Sequence, residues 1–207
     1  MLTMNTPKLT RRPRPTQSGL TLIEVLVTVV ILAVGLLGMA AMQLSGIRGA
    51  NGANYRTQAT IYANDLAERM RANPDGLYTD HAFLNVDTSA INCAAAPATY
   101  CSAYYDGSNQ VAPANCTTAQ MATFDLNVWY CGEVNSGIRI GGLNTTLPEG
   151  DATIVCNDVN PPSGDDGDAC TFSSPHTIRV SWTEPNPQRN GPATIDQSVA
   201  IVITPGL

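Results

Sequence analysis

Histidine is almost absent from this chain, and basic residues are scarce beyond its N-terminal part. The 207 residues include two histidines and 11 lysines and arginines, against 17 acidic residues. With few general bases and no Gly-x-Ser-x-Gly, His-Glu-x-x-His or phosphate-loop motif, the sequence predicts no enzyme, no catalytic residue and no cofactor. The formal charge of −6 also excludes a general nucleic-acid binder, because phosphates attract lysine and arginine.

Charge is missing from one long stretch near the N-terminus. Residues 20–42 carry a single charged side chain, Glu24, and no proline lies between Pro15 and Pro74. A helix of this length spans the ~30 Å hydrocarbon core of a membrane. Basic residues precede the stretch, so the positive-inside rule predicts a single pass with the N-terminus in the cytoplasm. These residues are Lys8, Arg11, Arg12 and Arg14.

Two ordinary interpretations of this stretch explain less than the sequence contains. A secretory signal peptide has an apolar region of roughly 7–15 residues, which is shorter than the stretch seen here. A plain signal anchor leaves Glu24 unexplained, because an ionised carboxylate near the end of a lipid-embedded helix costs up to about 3 kcal/mol.

Residues 19–25 read Gly-Leu-Thr-Leu-Ile-Glu-Val. This segment resembles the cleavage motif of type IV prepilins and of type II secretion pseudopilins. The resemblance implies that a prepilin peptidase cuts between Gly19 and Leu20, and that the new amine of Leu20 is N-methylated. It also implies that Glu24 pairs with the N-terminal amine of a neighbouring subunit and so serves in assembly.

Two further segments, residues 35–43 and 66–74, resemble the PilV-type minor pilins, also called type IV pilus modification proteins. The implied function is that of a minor pilin that enters a type IV pilus and assists assembly, initiation, adhesion or surface properties. The implied partners are other minor and major pilins, prepilin peptidase, the inner-membrane assembly machinery and, before assembly, membrane lipid.

The resemblance also implies a location, first in the inner membrane with a periplasmic head and then outside the cell in the pilus. Two alternatives remain open. One is a minor pseudopilin of a type II secretion system, which shares the same motif. The other is a membrane-anchored periplasmic enzyme that keeps an uncleaved N-terminus.

Helical periodicity continues past the apolar stretch. Apolar side chains recur at steps of three and four, as on one face of a helix. They are Tyr55, Ala59, Tyr62, Leu66 and Met70. Asp65 and Arg69 are four residues apart, which favours an exposed ion pair. Asn73 and Pro74 end the pattern, because a residue before proline disfavours the helical conformation.

These boundaries predict four segments. A leader (1–19) is removed, a transmembrane or filament-core helix (20–42) follows, an amphipathic continuation (43–74) extends it, and a β-rich head (75–207) completes the chain. The predicted fold class is α+β, with the long helix packed on an antiparallel sheet, as in type IV pilins.

Five glycines lie in the middle of the predicted helix. They are Gly35, Gly38, Gly46, Gly49 and Gly52. Each costs about 1 kcal/mol relative to alanine in an exposed helix. Either they allow close approach of helices in the membrane, or they let the segment stretch when the subunit leaves the bilayer.

Alternating apolar residues predict the strands of the head. The predicted strands are 124–131, 152–156, 177–183 and 198–204. The last run is more continuously apolar and is expected to lie more centrally in the sheet. Prolines and an Asn-Gly pair predict a loop over residues 184–192 between two antiparallel strands.

All six cysteines lie in the head, where an oxidising periplasm favours disulfides. They are Cys93, Cys101, Cys116, Cys131, Cys156 and Cys170. Fifteen pairings are possible, and pairing of neighbours in the sequence is the simplest expectation. A zinc site is less favoured, because no Cys-x-x-Cys occurs and His81 and His176 lack ligand spacing to the cysteines.

One acidic loop could bind calcium through oxygen ligands. Asp165, Asp166 and Asp168 place three carboxylates within four residues. The spacing does not fit an EF-hand loop, so a solvated loop without metal is the expectation.

Overall fold

The computed structural model describes residues 19, 21–80, 82–135, 138–158, 170, 174–186 and 191–204. These residues form two compact units that divide between Arg48 and Gly49. The first unit contains the beginning of a long helix. The second unit contains the rest of that helix and all the other described elements.

Helix α1 (Leu22–Ala72) is unbroken, which confirms the long N-terminal helix predicted from the sequence. In the first unit, every described side chain from Thr21 to Arg48 is exposed. An 18-residue window of α1 has a mean hydropathy of 2.7 and no buried residue, so its length and composition would allow it to cross a membrane.

In the second unit, α1 has a buried face. Ala59, Leu66 and Met70 of the predicted apolar stripe are fully buried, and Tyr55 and Tyr62 are half-buried against the same core. The stripe predicted from the 3.6-residue period is therefore confirmed.

The end of α1 also follows the prediction. The helix ends at Ala72, and Pro74 starts a separate short helix, α2 (Pro74–Tyr78). Asn73 caps α2, because its side-chain oxygen accepts a hydrogen bond from the Gly76 amide at 3.1 Å. Its side-chain nitrogen donates to the Thr118 carbonyl at 2.7 Å, which fixes the change of direction.

The predicted strand at residues 124–131 is wrong, because this segment lies within helix α3 (Thr118–Cys131). Thr117 and Gln120 form a capping box at its start. Ala122, Leu126 and Trp129 are buried at helical steps of four and three. The alternation of apolar residues had suggested a period of two, but it placed Trp129 on the wrong face.

Four antiparallel strands form the first sheet of the head, which confirms the α+β fold. They are β1 (Val86–Asp87), β6 (Asp151–Cys156), β7 (His176–Pro185) and β8 (Thr194–Ile203). Their order in the sheet is β1-β6-β7-β8. The strands predicted at 152–156 and 177–183 correspond to β6 and β7, and Ile178, Val180 and Trp182 are buried as their alternation predicted.

The last predicted strand does not lie centrally. Among the described strands, β8 pairs only with β7 and forms an edge of the sheet. Only one face of this sheet packs on the core, so alternate β8 side chains remain exposed, Val202 among them. The predicted connection between antiparallel strands is confirmed, since the Asn186 amide donates to the Ala193 carbonyl at 2.9 Å.

A second, smaller sheet was not predicted. It contains β2 (Tyr104–Tyr105), β3 (Gln110–Val111), β4 (Glu133–Asn135) and β5 (Ile138–Ile140). Their order is β3-β2-β4-β5, and the β2–β4 pairing is parallel while the others are antiparallel. The other described helices are α4 (Leu143–Thr146) and a short 3-10 helix over Thr88–Ala90.

One hydrophobic core joins α1, α3 and the first sheet within the second unit. Its fully buried large side chains include Leu66, Met70, Phe83, Trp129, Leu143, Ile154, Ile178, Val180 and Trp182. Burial of such side chains contributes roughly 1.5–3 kcal/mol each, so the core accounts for much of the stability of this unit.

Candidate processing and assembly site

The predicted cleavage position lies at the start of the described chain. Gly19 is exposed, and a Cβ atom at this position would meet no described atom within 4 Å apart from its chain neighbours. Leu20 lies outside the described residues, as does the leader before Gly19. Cleavage between Gly19 and Leu20 and methylation of Leu20 therefore stay predictions.

Glu24 lies in the first turn of α1 and is exposed. The backbone amides of Glu24 and Val25 donate to the Thr21 carbonyl at 3.0 and 3.3 Å, which starts the helix. A carboxylate in a first turn is favoured by the helix dipole. Within the described part of the chain, no ion pair engages Glu24. Its carboxylate is thus available to a cation from another molecule.

The surface of α1 between Leu22 and Met42 is largely apolar and exposed. Leu22, Leu37 and Met42 expose 81%, 71% and 78% of their surface, and the side chains between them are exposed as well. Contiguous apolar surface of this extent marks contact with a membrane or with another protein. In the first unit, α1 therefore has the character of a contact surface for lipid or for other helices.

Four of the five glycines in α1 have no neighbour in the described chain. A Cβ atom at Gly35, Gly38, Gly46 or Gly49 would meet nothing within 4 Å. Gly52 differs, since a Cβ atom there would lie 3.2 Å from a carboxylate oxygen of Glu184. A contact within the described chain thus limits the size of the side chain at Gly52 only. For the other four glycines, close approach of helices in the membrane and stretching of the segment both remain open.

Aromatic side chains attach α1 to the rest of the head in the second unit. The indole nitrogen of Trp129 donates to the Tyr62 carbonyl at 2.9 Å, and the two rings meet edge to face with centroids 6.0 Å apart. The Tyr62 hydroxyl and the Thr146 hydroxyl share a hydrogen bond of 2.9 Å. Tyr62 is therefore connected to both α3 and α4.

Arg69 connects α1 to α3 by charge. Its Nε donates to Asp65 at 3.0 Å, which is the ion pair predicted from the spacing, and its Nη1 donates to Asp125 at 3.0 Å. Burial raises the pKa of the Asp125 carboxyl, and the charge of Arg69 opposes this rise. Asp125 was not predicted to pair with Arg69, because its segment was expected to form a strand rather than α3.

The six cysteines form three disulfides. The pairs are Cys93–Cys131, Cys101–Cys116 and Cys156–Cys170, with Cα atoms 5.3, 5.7 and 6.1 Å apart. The neighbour pairing is correct for Cys156–Cys170 and wrong for the other four cysteines. Cys131 is the last residue of α3, and the helix carries it to the loop at Cys93 rather than back to Cys116.

The prediction that no histidine lies in ligand spacing to the cysteines is wrong for His176. His176 lies directly opposite Cys156 in the β6–β7 register, and it is fully buried. Its Nδ1 donates to the Ser174 carbonyl at 3.0 Å. Burial lowers the pKa of the imidazole, an effect that this hydrogen bond opposes.

His81 and the calcium candidates Asp165, Asp166 and Asp168 lie outside the described residues.

Two protein-family models match the chain. The prokaryotic N-terminal methylation motif matches residues 14–40, and the type IV pilin Tt1218 model matches residues 41–127. No curated protein and no solved structure matches the chain. Residues 14–40 are thus similar to a prepilin N-methylation motif and residues 41–127 to a type IV pilin domain, and both similarities point to a structural protein rather than an enzyme.

Proposed function

We propose that this protein is a minor pilin of a type IV pilus, of the PilV type, that is processed by prepilin peptidase and built into the filament. One observation carries the proposal. Glu24 is a carboxylate without a described counter-ion, in the first turn of α1, and every described side chain of α1 in the first unit is exposed. It follows a glycine inside the matched methylation motif.

Cleavage after Gly19 supplies the missing cation. An α-amino group has a reference pKa of about 8, so cleavage would create a cation at Leu20. An amine and a carboxylate in the same apolar surroundings attract strongly, while either charge alone is expensive there. The pair between Glu24 of one subunit and the amine of the next would also fix the axial register of neighbouring helices.

The apolar surface of the first unit supports two successive environments. In the inner membrane, lipid would cover the side chains between Leu22 and Met42, with the leader in the cytoplasm and the head in the periplasm. In the filament, helices of other minor and major pilins would cover the same surface. The inner-membrane assembly machinery would transfer the subunit between the two environments.

The second unit would form the displayed head. Its core and its three disulfides brace a domain suited to extracellular conditions. With few basic residues, the head favours a role in initiating assembly, in adhesion or in surface properties over general binding of nucleic acid.

The first test is the N-terminus of the native protein. Mass spectrometry of the protein from its own cells is expected to show a chain that starts at N-methylated Leu20, whereas a Gly19→Ser variant should stay full-length. A wild-type protein that retains its leader would overturn the proposal.

The second test separates assembly from folding. Glu24→Ala should insert normally in the membrane but fall about tenfold or more in sheared pili, the factor supplied by a contact of about 1.4 kcal/mol. Glu68→Ala is the matched control, because Glu68 is an exposed glutamate on the same helix. Equal amounts of both variants in pili would contradict the role of Glu24.

The amount of protein in sheared surface pili also distinguishes a pseudopilin from a pilin. A type II secretion pseudopilin would be processed in the same way but would be absent from sheared surface pili. Its deletion would abolish secretion of exoproteins while leaving the pili intact.

A further inference from the structure

Three potential metal ligands meet at one end of the first sheet. The Sγ atoms of Cys156 and Cys170 and a ring nitrogen of His176 all lie within 4.8 Å of one another. Cys156 ends β6, and His176 begins β7 directly across from it. Cys170 is 4% exposed and His176 is fully buried, while Cys156 is half-buried, so two of the three ligands are shielded from water.

His176 provides an independent observation. Its Nδ1 donates to the Ser174 carbonyl, so the lone pair of the neutral ring is on Nε2. This Nε2 atom is buried and has no hydrogen-bond partner in the described part of the chain. A buried polar atom without a partner costs about 1–3 kcal/mol, so its presence needs an explanation.

We propose that Cys156, Cys170 and His176 form a Zn²⁺ site in the form of the protein in which the two cysteines are reduced. Two thiolates and an imidazole are ligands that Zn²⁺ prefers, and three protein ligands leave the fourth tetrahedral position to water. Histidine ligands commonly donate their second ring N–H to a backbone carbonyl, which is the contact that His176 makes with Ser174.

The disulfide and the metal site exclude each other. In the oxidised protein the two sulfurs bond to each other and offer no thiolate. Reduction adds two electrons and two protons and gives two thiols, and Zn²⁺ then displaces both protons. An oxidant of the disulfide class reverses this state. It accepts two electrons from the two thiolates and takes up two protons to become two thiols. The Cys156–Cys170 bond forms and Zn²⁺ is released.

Zn²⁺ would therefore bind at one stage, after export of the chain and before its cysteines are oxidised. A newly exported chain holds six free thiols, for which fifteen pairings are possible. Zn²⁺ bound by Cys156 and Cys170 would keep these two thiols together and apart from the other four until they are oxidised. The metal would therefore favour the pairing that the structure shows.

The experiment measures the reactivity of each thiol. The full chain, purified in detergent and reduced with a phosphine, is treated with an alkylating reagent with and without added Zn²⁺. Mass spectrometry then gives the labelling rate at each cysteine. Zn²⁺ is expected to slow labelling of Cys156 and Cys170 at least about tenfold, because a thiolate bound to the metal is not free to attack the reagent.

Cys101 and Cys116 are the matched internal control. Their sequence separation of 15 residues is close to the 14 between Cys156 and Cys170, and no described histidine belongs to a metal-ligand cluster with them. Their labelling should not change with Zn²⁺. Equal protection of both pairs would overturn the proposal.

A variant tests the role of the imidazole. His176→Asn keeps a side-chain donor for the Ser174 carbonyl but has no imidazole nitrogen, so protection of Cys156 and Cys170 should be lost. Unchanged protection in this variant would also overturn the proposal. If the variant does not fold, the difference between the two cysteine pairs in the wild-type protein still decides the question.

Discussion

The two parts of α1 differ in what covers them. Between Thr21 and Arg48 no described side chain is buried, whereas from Ala59 to Met70 one face of the same helix is fully buried in a core. The first part depends on lipid or on other subunits, and the second part depends on its own chain. Substitutions in the first part should therefore change assembly, and substitutions in the second part should change stability.

The largest expected effect comes from deleting a core side chain. Leu66 is fully buried and Leu37 is 71% exposed, so they form a matched pair of leucines on one helix. Leu66→Ala should lower the free energy of unfolding by about 2–5 kcal/mol, and Leu37→Ala should change it little. Denaturation followed by the fluorescence of Trp129 and Trp182 measures this, and equal losses would break the comparison.

A smaller loss is expected from the charge contact between α1 and α3. Arg69→Met leaves the Asp125 carboxylate, which is 15% exposed, without its cation and should cost about 1–3 kcal/mol. Arg71→Met is the control, because Arg71 pairs with the exposed Glu68 and such pairs contribute about 0–1 kcal/mol. A loss for Arg71→Met as large as that for Arg69→Met would contradict this assignment.

The third prediction concerns pH, which should act on the second unit through His176. Because burial lowers the folded-state pKa of His176, the unfolded chain binds more protons below about pH 6.5. The contribution of His176 is therefore complete above that pH and is lost as pH falls toward the folded pKa, by at most about 1.4 kcal/mol per pH unit.

Thermal unfolding of the oxidised protein between pH 7.5 and 5.5 tests this sign, and stays above the range in which most carboxylates titrate. The melting temperature of the wild type should fall over this range, and His176→Asn should remove most of the fall. A melting temperature that rises as pH decreases would show that the sign is wrong.

The smallest expected effect comes from replacing glycines of α1, and it shows where along α1 contact with the rest of the second unit begins. Gly49→Ala should raise helix stability by about 1 kcal/mol, because a methyl group there meets nothing. Gly52→Ala should gain less, since it displaces the Glu184 carboxylate that accepts the Trp182 indole hydrogen bond at 2.7 Å. Melting in detergent followed by far-UV circular dichroism compares the two, and an equal gain would place the start of packing beyond Gly52.

Sequence patterns predicted correctly those elements that are determined by the residues of one continuous segment. The apolar stripe of α1, its end before Pro74 and the alternation of β7 each follow from a single segment, and each is confirmed. The motif at residues 14–40 was likewise readable, because it is contiguous.

The remaining features depend on contacts between distant segments. Phe124, Leu126, Val128 and Tyr130 satisfy a period of two, and only the capping box at Thr117 with the burial of Trp129 shows that the segment is a helix. A Thr-x-x-Gln pattern at residues 117–120 was the available signal. Once α3 was taken for a strand, neither the Arg69–Asp125 pair nor the Cys93–Cys131 disulfide could be predicted.

Both ends of α3 are fastened. The capping box holds its first turn, and the Cys93–Cys131 bond holds its last residue, so the helix has no loose end at which fraying can begin. Backbone amides in the middle of α3 should then exchange with deuterium only when the whole second unit opens. Reduction of that one bond would free the last turn first, and solvent exchange would spread from Cys131 toward Trp129.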